Sequence, residues 1–265
     1  MGSRLGKHIE RISRSGLTYY RSVAWGGLRH GIFTRSGGVS QGAWSSLNLG
    51  ASIGDVPQAV RENHARIYAA LGVNAGRATS CWLVHSTDVL VVDEAKNGRQ
   101  LPKADCLITN RPDTPLVMRF ADCVPLIAYD PVKRAIGLAH AGWRGTVAGM
   151  AARLVMALQQ SYSSRPADME VLIGPAISRR NYPVGEAVAQ QAQAYFGEST
   201  KVIWRDPVSG AAHFDLWRAN RLDLQRQGVG KVQVLDICTH DNTKEFYSHR
   251  AEAGRTGRFG VVVSL

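Results

Sequence analysis

The 265-residue sequence contains no uninterrupted apolar run of about 18 residues, so no membrane-spanning helix is expected and no membrane partner is read. Residues 1–16 are basic but carry neither an apolar stretch nor a small-residue cleavage site. No signal peptide is read, and a cytoplasmic location is expected. Cysteine is scarce: Cys81, Cys106, Cys123 and Cys238, none in a C-x-x-C pair. Without a secretion signal, reduced thiols are expected rather than disulfides, and a structural zinc ribbon is excluded. Internal repeats, heptads and low-complexity tracts are absent, which excludes solenoids and coiled coils. Acidic residues are few, 21 against 32 Lys and Arg, for a net charge of +11. Residues 1–35 hold seven basic residues against Glu10 alone. Such a balance suits an anionic partner, either nucleic acid or a phosphate-bearing metabolite. No aromatic-studded basic motif accompanies the charge, which argues against a nucleic-acid module. The early charge reads instead as a solvated basic tail over 1–16, ahead of one catalytic domain over 17–265.

What the chain does have is an ordinary globular composition, 45% hydrophobic and 20% charged, enough to bury a sizeable core. Residues 28–33 read as a strand, followed by a glycine-punctuated loop. Residues 57–71 read as a helix with Asp55 as N-cap, Pro57 in the first turn and Gly72 as terminator. Short runs rich in Val, Ile and Leu (VLVVD, DCLIT, PLVMRF, VPLIAYD, RAIGLAH) read as strands. Residues 145–162 read as one long helix. MEVLIG, KVQVLD and FGVVVSL are strands; VGEAVAQQAQAYF and FDLWRANRLDLQRQ are helices, the latter capped by Asp215. Strands outnumber helices and cluster, which predicts an α+β (mixed α/β) fold with layered mixed sheets flanked by helices.

The chemistry concentrates in RFADCVPLIAYDPVKRAIGLAHAGWRGTVAGM. Cys123 lies between two strand runs, and His140 ends a strand that leads into Gly142, Arg144, Gly145 and a helix. A strand, a glycine turn and a helix start form an anion site, to which Arg144 adds charge. The spacing is neither a Walker A nor a Rossmann fingerprint. Cys123 and His140 are separated by one strand-turn-strand passage and can converge at a sheet end. Two chemistries remain open: a Cys–His nucleophile pair, or, with His85 ahead of VLVV, a His/Cys/His metal site with one open position. A second anion candidate is FTRSGGVS, where Arg35 precedes amides that can form a nest. A third is FYSHRAEAGRTGRFG, with Arg250, Arg255 and Arg258.

HGIFTRSGGVSQGAWSSLNLG, together with REN, VHS, ADC, HAGWRG, IGPAIS, CT and FYSHR, resembles the YfiH family, also called the laccase-domain or multicopper polyphenol oxidoreductase family. The likeness covers roughly residues 17–265. It implies three metal ligands, His85, Cys123 and His140, normally holding zinc, with copper as the alternative metal. It implies a purine nucleoside phosphorylase acting on adenosine, inosine and methylthioadenosine that also deaminates adenosine, with a purine nucleoside and phosphate as partners and a monomer as the favoured state. The implied fold is similar to a toxin deamidase domain of cysteine-hydrolase type. Cys123, His140 and Asp122 are the expected catalytic residues, Asp122 as acid or as partner of a metal-bound His. Arg35, Asn48, Arg144 and Arg250 are the expected substrate and phosphate contacts. Leu83 stands where the family has Gln, Cys106 where it has Ala, and Ala251 where it has a second Arg.

A polyphenol laccase needs several copper sites and many histidines. This chain has eight His and no H-x-H pair, which suits one three-ligand site. The runner-up is a Cys–His amidase acting on cell-wall precursors in peptidoglycan editing.

Overall fold

The computed structural model describes residues 3–5, 8–93 and 102–265. Two six-stranded sheets stack face to face between helical layers, a mixed α+β architecture. The first sheet runs, in spatial order, Ser3–Leu5, Ile9–Arg14, Leu17–Ser22, Arg29–Phe33, Phe259–Ser264, Leu116–Phe120, every pair antiparallel. The second runs Lys231–Val234, Glu170–Ile173, Val124–Asp130, Ala135–Ala141, Cys106–Thr109, Val89–Val91; its two outermost pairs are parallel and the inner ones antiparallel. A small third sheet, Pro183–Val184, Ala212–Phe214, Ile203–Arg205, lies beside them.

The two-residue side-chain period of a strand decides which layer each residue joins. Leu107, Ile127 and Leu138 point into the space between the sheets, where they meet Phe120, Phe259, Val261 and Val263. Their chain neighbours Ile108, Leu126 and Ala139 face the other way, onto Met150, Leu154, Val155 and Leu158 of helix Met150–Tyr162 and onto Leu216, Ala219 and Leu224 of helix Leu216–Arg226. On the far side, Tyr19, Phe33, Val117 and Val262 pack against Ile67 of helix Pro57–Leu71. Central strands are thus covered on both faces, which is why they read as near-continuous apolar runs. Each fully buried Leu or Ile contributes about 2 kcal/mol.

Three sequence expectations are corrected. Residues 9–14, read as part of a basic tail, form a strand of the first sheet, turned onto Leu17–Ser22 through Ser15 (φ 51°) and Gly16 (φ 79°). Within it Arg11 lies 2.8 Å from the Glu245 carboxylate, and Glu10 pairs with Arg21 of the neighbouring strand. The long helix expected over 145–162 is two helices, Trp143–Val147 and Met150–Tyr162. Gly149 between them has φ 77°, and a Cβ there would lie 2.5 Å from the Tyr195 hydroxyl. Asp55 does not cap helix Pro57–Leu71, whose N-cap is Val56; its Oδ2 accepts from Ser40 Oγ (2.6 Å) and Asn48 Nδ2 (2.8 Å). Asp215 caps its helix as expected, accepting from the Arg218 amide at 2.9 Å.

Candidate metal centre and its cavity

Strand Leu116–Phe120 belongs to the first sheet and Val124–Asp130 to the second, so residues 121–123 are the crossover between sheets. Cys123 sits on that tight turn beside Asp122, a non-glycine residue at φ 82°. Val124 pairs with Ala141 and Pro125 with His140, so the hairpin brings His140 and Cys123 to one end of the second sheet. His85 arrives from a loop and also takes a left-handed backbone, φ 59°, a costly conformation that persists where surrounding bonds enforce it. Here the Val84 and Ser86 amides flanking His85 both donate to Asp105 Oδ2, at 3.0 and 2.8 Å. The other carboxylate oxygen, Asp105 Oδ1, lies 2.9 Å from His140 Nδ1. One fully buried carboxylate therefore fixes both histidine ligands.

The ligand atoms of His85, Cys123 and His140 all lie within 4.8 Å of one another. Among the described residues this is the one His/Cys/Asp/Glu group so arranged. The His85 and His140 rings meet edge to face at 5.0 Å. Gly142 has an ordinary φ of −73°, yet a Cβ on it would come within 3.0 Å of Cys123 Sγ and 3.1 Å of His85 Nδ1. A glycine there keeps the space at the ligands clear. Two imidazoles and a thiolate, with one imidazole oriented by a carboxylate, form a donor set that fits zinc and leaves a fourth position for substrate.

Charge follows from the same contacts. Burial alone pushes His140 down, but the Cys123 sulfur and the Asp105 carboxylate outweigh it and hold His140 up at about 9. Burial, reinforced by His140, lowers His85. Burial works to raise Asp105, yet hydrogen bonds from His140 and from the Ser86 and Val84 amides hold it below the ordinary carboxylate value.

The cluster forms the floor of a cavity of about 460 Å³, a size suited to a small metabolite. Its walls include the loop Gly50–Ile53, Trp82, Tyr182, Asp122 and three arginines, Arg119, Arg250 and Arg258. Of the residues expected from sequence, His85, Asp122, Cys123, His140, Arg250 and Arg258 line it. Asp122 has both oxygens engaged, accepting from Thr239 Oγ1 (2.6 Å) and the Arg250 amide (2.7 Å).

Arg35, Asn48 and Arg144 are not among the lining residues. The Arg35 guanidinium donates to the Ser45 and Thr243 carbonyls, pairs with Glu252 at 3.0 Å and lies 4.3 Å above the Tyr247 ring. Asn48 is buried, its oxygen accepting from the Gly50 and Arg258 amides. Arg144 is exposed and stacks over Trp143 at 4.5 Å, on a helix of only five residues. Nor does the 34–40 loop form a nest: the Ser36, Gly38, Val39 and Ser40 amides are spent on Thr34, Ser46 and Asn63. Sequence reasoning missed Asp105 and Arg119. The available signals were an Asp directly before a strand core, and an Arg inside an otherwise apolar strand.

A family model described as multi-copper polyphenol oxidoreductase laccase matches residues 29–265. "Purine nucleoside phosphorylase YlmD" of Geobacillus stearothermophilus is 36% identical over 237 residues, 86% of this chain and 86% of that protein. A "Purine nucleoside phosphorylase" of Deinococcus radiodurans is 38% identical over 239 residues, covering 89% of this chain and 88% of that one. The crystal structure of Bacillus licheniformis YfiH superposes with a TM-score of 0.90 at 31% identity, over 96% of this chain and 98% of the other. No helix among the described residues is long and apolar enough to cross a membrane.

Proposed function

This chain belongs to the multi-copper polyphenol oxidoreductase laccase family, and from that membership we propose that it is a zinc-dependent purine nucleoside phosphorylase that also deaminates adenosine. The names carried by its relatives support the reaction class. The observation that supports the site is the His85–Cys123–His140 cluster on the floor of an arginine-rich cavity. Multicopper oxidation would need further clusters of soft and imidazole ligands, and the described residues hold one group of three.

His85, Cys123 and His140 would hold the zinc, which when bound supplies Lewis-acid polarisation at its open position. The protein's own residues do the rest. Asp105 holds the His140 ring and the 84–86 loop in register. The cavity takes the nucleoside beside phosphate, so that a phosphate oxygen attacks the sugar carbon as the C–N bond to the purine breaks. The bond's electron pair leaves with the purine, which gains a proton, and the products are the free base and ribose 1-phosphate. In deamination, water replaces the amino group of adenosine, giving inosine and ammonia. Asp122, engaged at both oxygens, acts as a positioning residue that ties the crossover turn to the 248–250 segment.

A second reading is favoured by one observation: His140 lies between Cys123, whose sulfur is within 4.8 Å of a ring nitrogen, and Asp105, which meets its Nδ1 at 2.9 Å, the order of a Cys–His–Asp hydrolase relay. Zinc analysis of the purified protein, paired with adenosine-plus-phosphate turnover before and after chelation, separates the two. The phosphorylase reading expects about one zinc per chain and loss of turnover on chelation. A zinc-free protein that turns over amides and is inactivated by thiol alkylation would establish the hydrolase instead.

A further inference from the structure

We propose that Arg119 and Arg258 form the oxyanion subsite of the cavity and take inorganic phosphate as the second substrate. The assignment rests on the phosphorylase reading for the identity of the anion. Its geometry comes from two adjacent strands. In the first sheet Phe120 pairs with Phe259, and Arg119 with Gly260. Phe120 and Phe259 point into the core between the sheets. By strand alternation Arg119 and Arg258 face the opposite way, toward helix Pro57–Leu71 and the Gly50–Ile53 loop. Gly260, beside Arg119, has no side chain, and Leu49 packs into the space a Cβ would take, its Cδ1 only 2.1 Å from that position. Asn48 completes the arrangement by accepting the Arg258 amide at 2.8 Å, which fixes the residue's backbone.

Both guanidiniums are partly buried and neither meets a carboxylate among the described residues. Among the described residues the Arg119 guanidinium makes one hydrogen bond, from Nη2 to the Cys81 carbonyl at 2.8 Å. Arg258 uses Nη1 on the Thr256 and Gly257 carbonyls, at 3.1 and 2.8 Å. The remaining donors of each fork have no acceptor among the described residues, and both residues line the cavity. Elsewhere Arg11, Arg35 and Arg205 each have a glutamate. Asp122, the one carboxylate among the described residues that line the cavity, is already engaged at both oxygens. Burial lowers both Arg119 and Arg258; Cys81 and Tyr68 oppose it at Arg119, and at Arg258 Cys123 and Asp122 oppose it while Arg119 adds to it. Two cations taken out of water in one cavity are costly unless an anion compensates them. Purine and ribose are neutral and do not supply that charge. A phosphate dianion does, and planar guanidinium forks match its oxygens two at a time. Arg250, exposed beside the Tyr182 ring, is more fully screened by solvent than this pair.

The test is calorimetric titration of inorganic phosphate into the zinc-loaded protein. Wild type is expected to bind one phosphate. Arg119→Gln and Arg258→Gln should each weaken that binding at least tenfold at wild-type zinc content, with the Lys variants losing less. Phosphate binding unchanged in both Gln variants, or absent from wild type, would overturn the subsite. Should a Gln variant fail to fold, phenylglyoxal modification of wild type mapped by mass spectrometry gives the same answer. Phosphate should protect Arg119 and Arg258, and equal modification with and without phosphate overturns the assignment. AMP that binds in an arginine-dependent way where inorganic phosphate does not would show a phosphate-ester site and overturn the claim for free phosphate. Nucleoside turnover indifferent to phosphate would remove the phosphorylase reading while arginine-dependent phosphate binding left the subsite standing. Phosphorolysis with unaffected variants would remove the subsite alone.

Discussion

Asp105 and His140 are joined twice: the His140 amide donates to the Asp105 carbonyl at 2.8 Å, and His140 Nδ1 lies 2.9 Å from Asp105 Oδ1. The first contact places the histidine backbone and the second sets its ring, leaving Nε2 for the cluster. Asp105→Asn removes the charge and unsettles the tautomer. Zinc affinity is expected to fall by about 10- to 100-fold. A chelator competition titration reads this directly, and affinity within twofold of wild type would remove Asp105 from the account.

Gly142→Ala tests the space at the ligands. The φ of −73° suits any residue, so backbone strain is not introduced. The new methyl comes within 3.0 Å of Cys123 Sγ and 3.1 Å of His85 Nδ1. The expected result is at least a tenfold loss of zinc affinity, with the thermal midpoint of the metal-free protein nearly unchanged. Equal zinc affinity would show that the cluster has slack.

Arg35→Ala distinguishes structure from substrate contact. Its guanidinium is spent on two carbonyls, Glu252 and the Tyr247 ring. The variant is expected to lose about 1–3 kcal/mol of stability, because Glu252 and the carbonyls lose partners. Its phosphate KM should stay within twofold of wild type. Denaturant unfolding and a phosphate titration of turnover check the two halves.

His30 gives a pH dependence of stability. Its Nε2 accepts from the Ser22 amide at 2.9 Å, and its Nδ1 faces the Leu28 carbonyl at 2.9 Å, so the folded ring is neutral. Burial lowers it to about 4, against 6.5 for the ordinary group. Between these values the unfolded chain binds more protons, so His30's contribution is complete above about pH 6.5 and is lost as pH falls toward 4. In His30→Gln the slope of stability against pH near pH 5 should be shallower by about 1.4 kcal/mol per pH unit. An unchanged slope would place the protonation elsewhere.

The sequence carried the two sheets because their central strands are buried on both faces and read as apolar runs. It also carried the meeting of Cys123 with His140, because a single hairpin joins them. His85 stood in one of two open readings and was chosen as a ligand only through family resemblance, since its approach depends on long-range bonds to Asp105. The first hairpin was hidden by its charge, although Ser15–Gly16 between two β-prone runs is a turn signal. Arg35 looked like an anion contact because its loop is glycine-rich, but the loop's amides satisfy one another through Asn63 and Ser46. Arg119 was passed over as one residue of an apolar strand, and its exposure to the cavity follows from strand pairing that no local pattern contains.

The central claim is tested most directly by following inosine with zinc-loaded wild type and with Cys123→Ala, with and without phosphate. The account predicts phosphate-dependent formation of hypoxanthine and ribose 1-phosphate by wild type, and loss of both zinc and turnover in the variant. Base release without phosphate, or a Cys123→Ala protein that keeps its zinc and its rate, would contradict it.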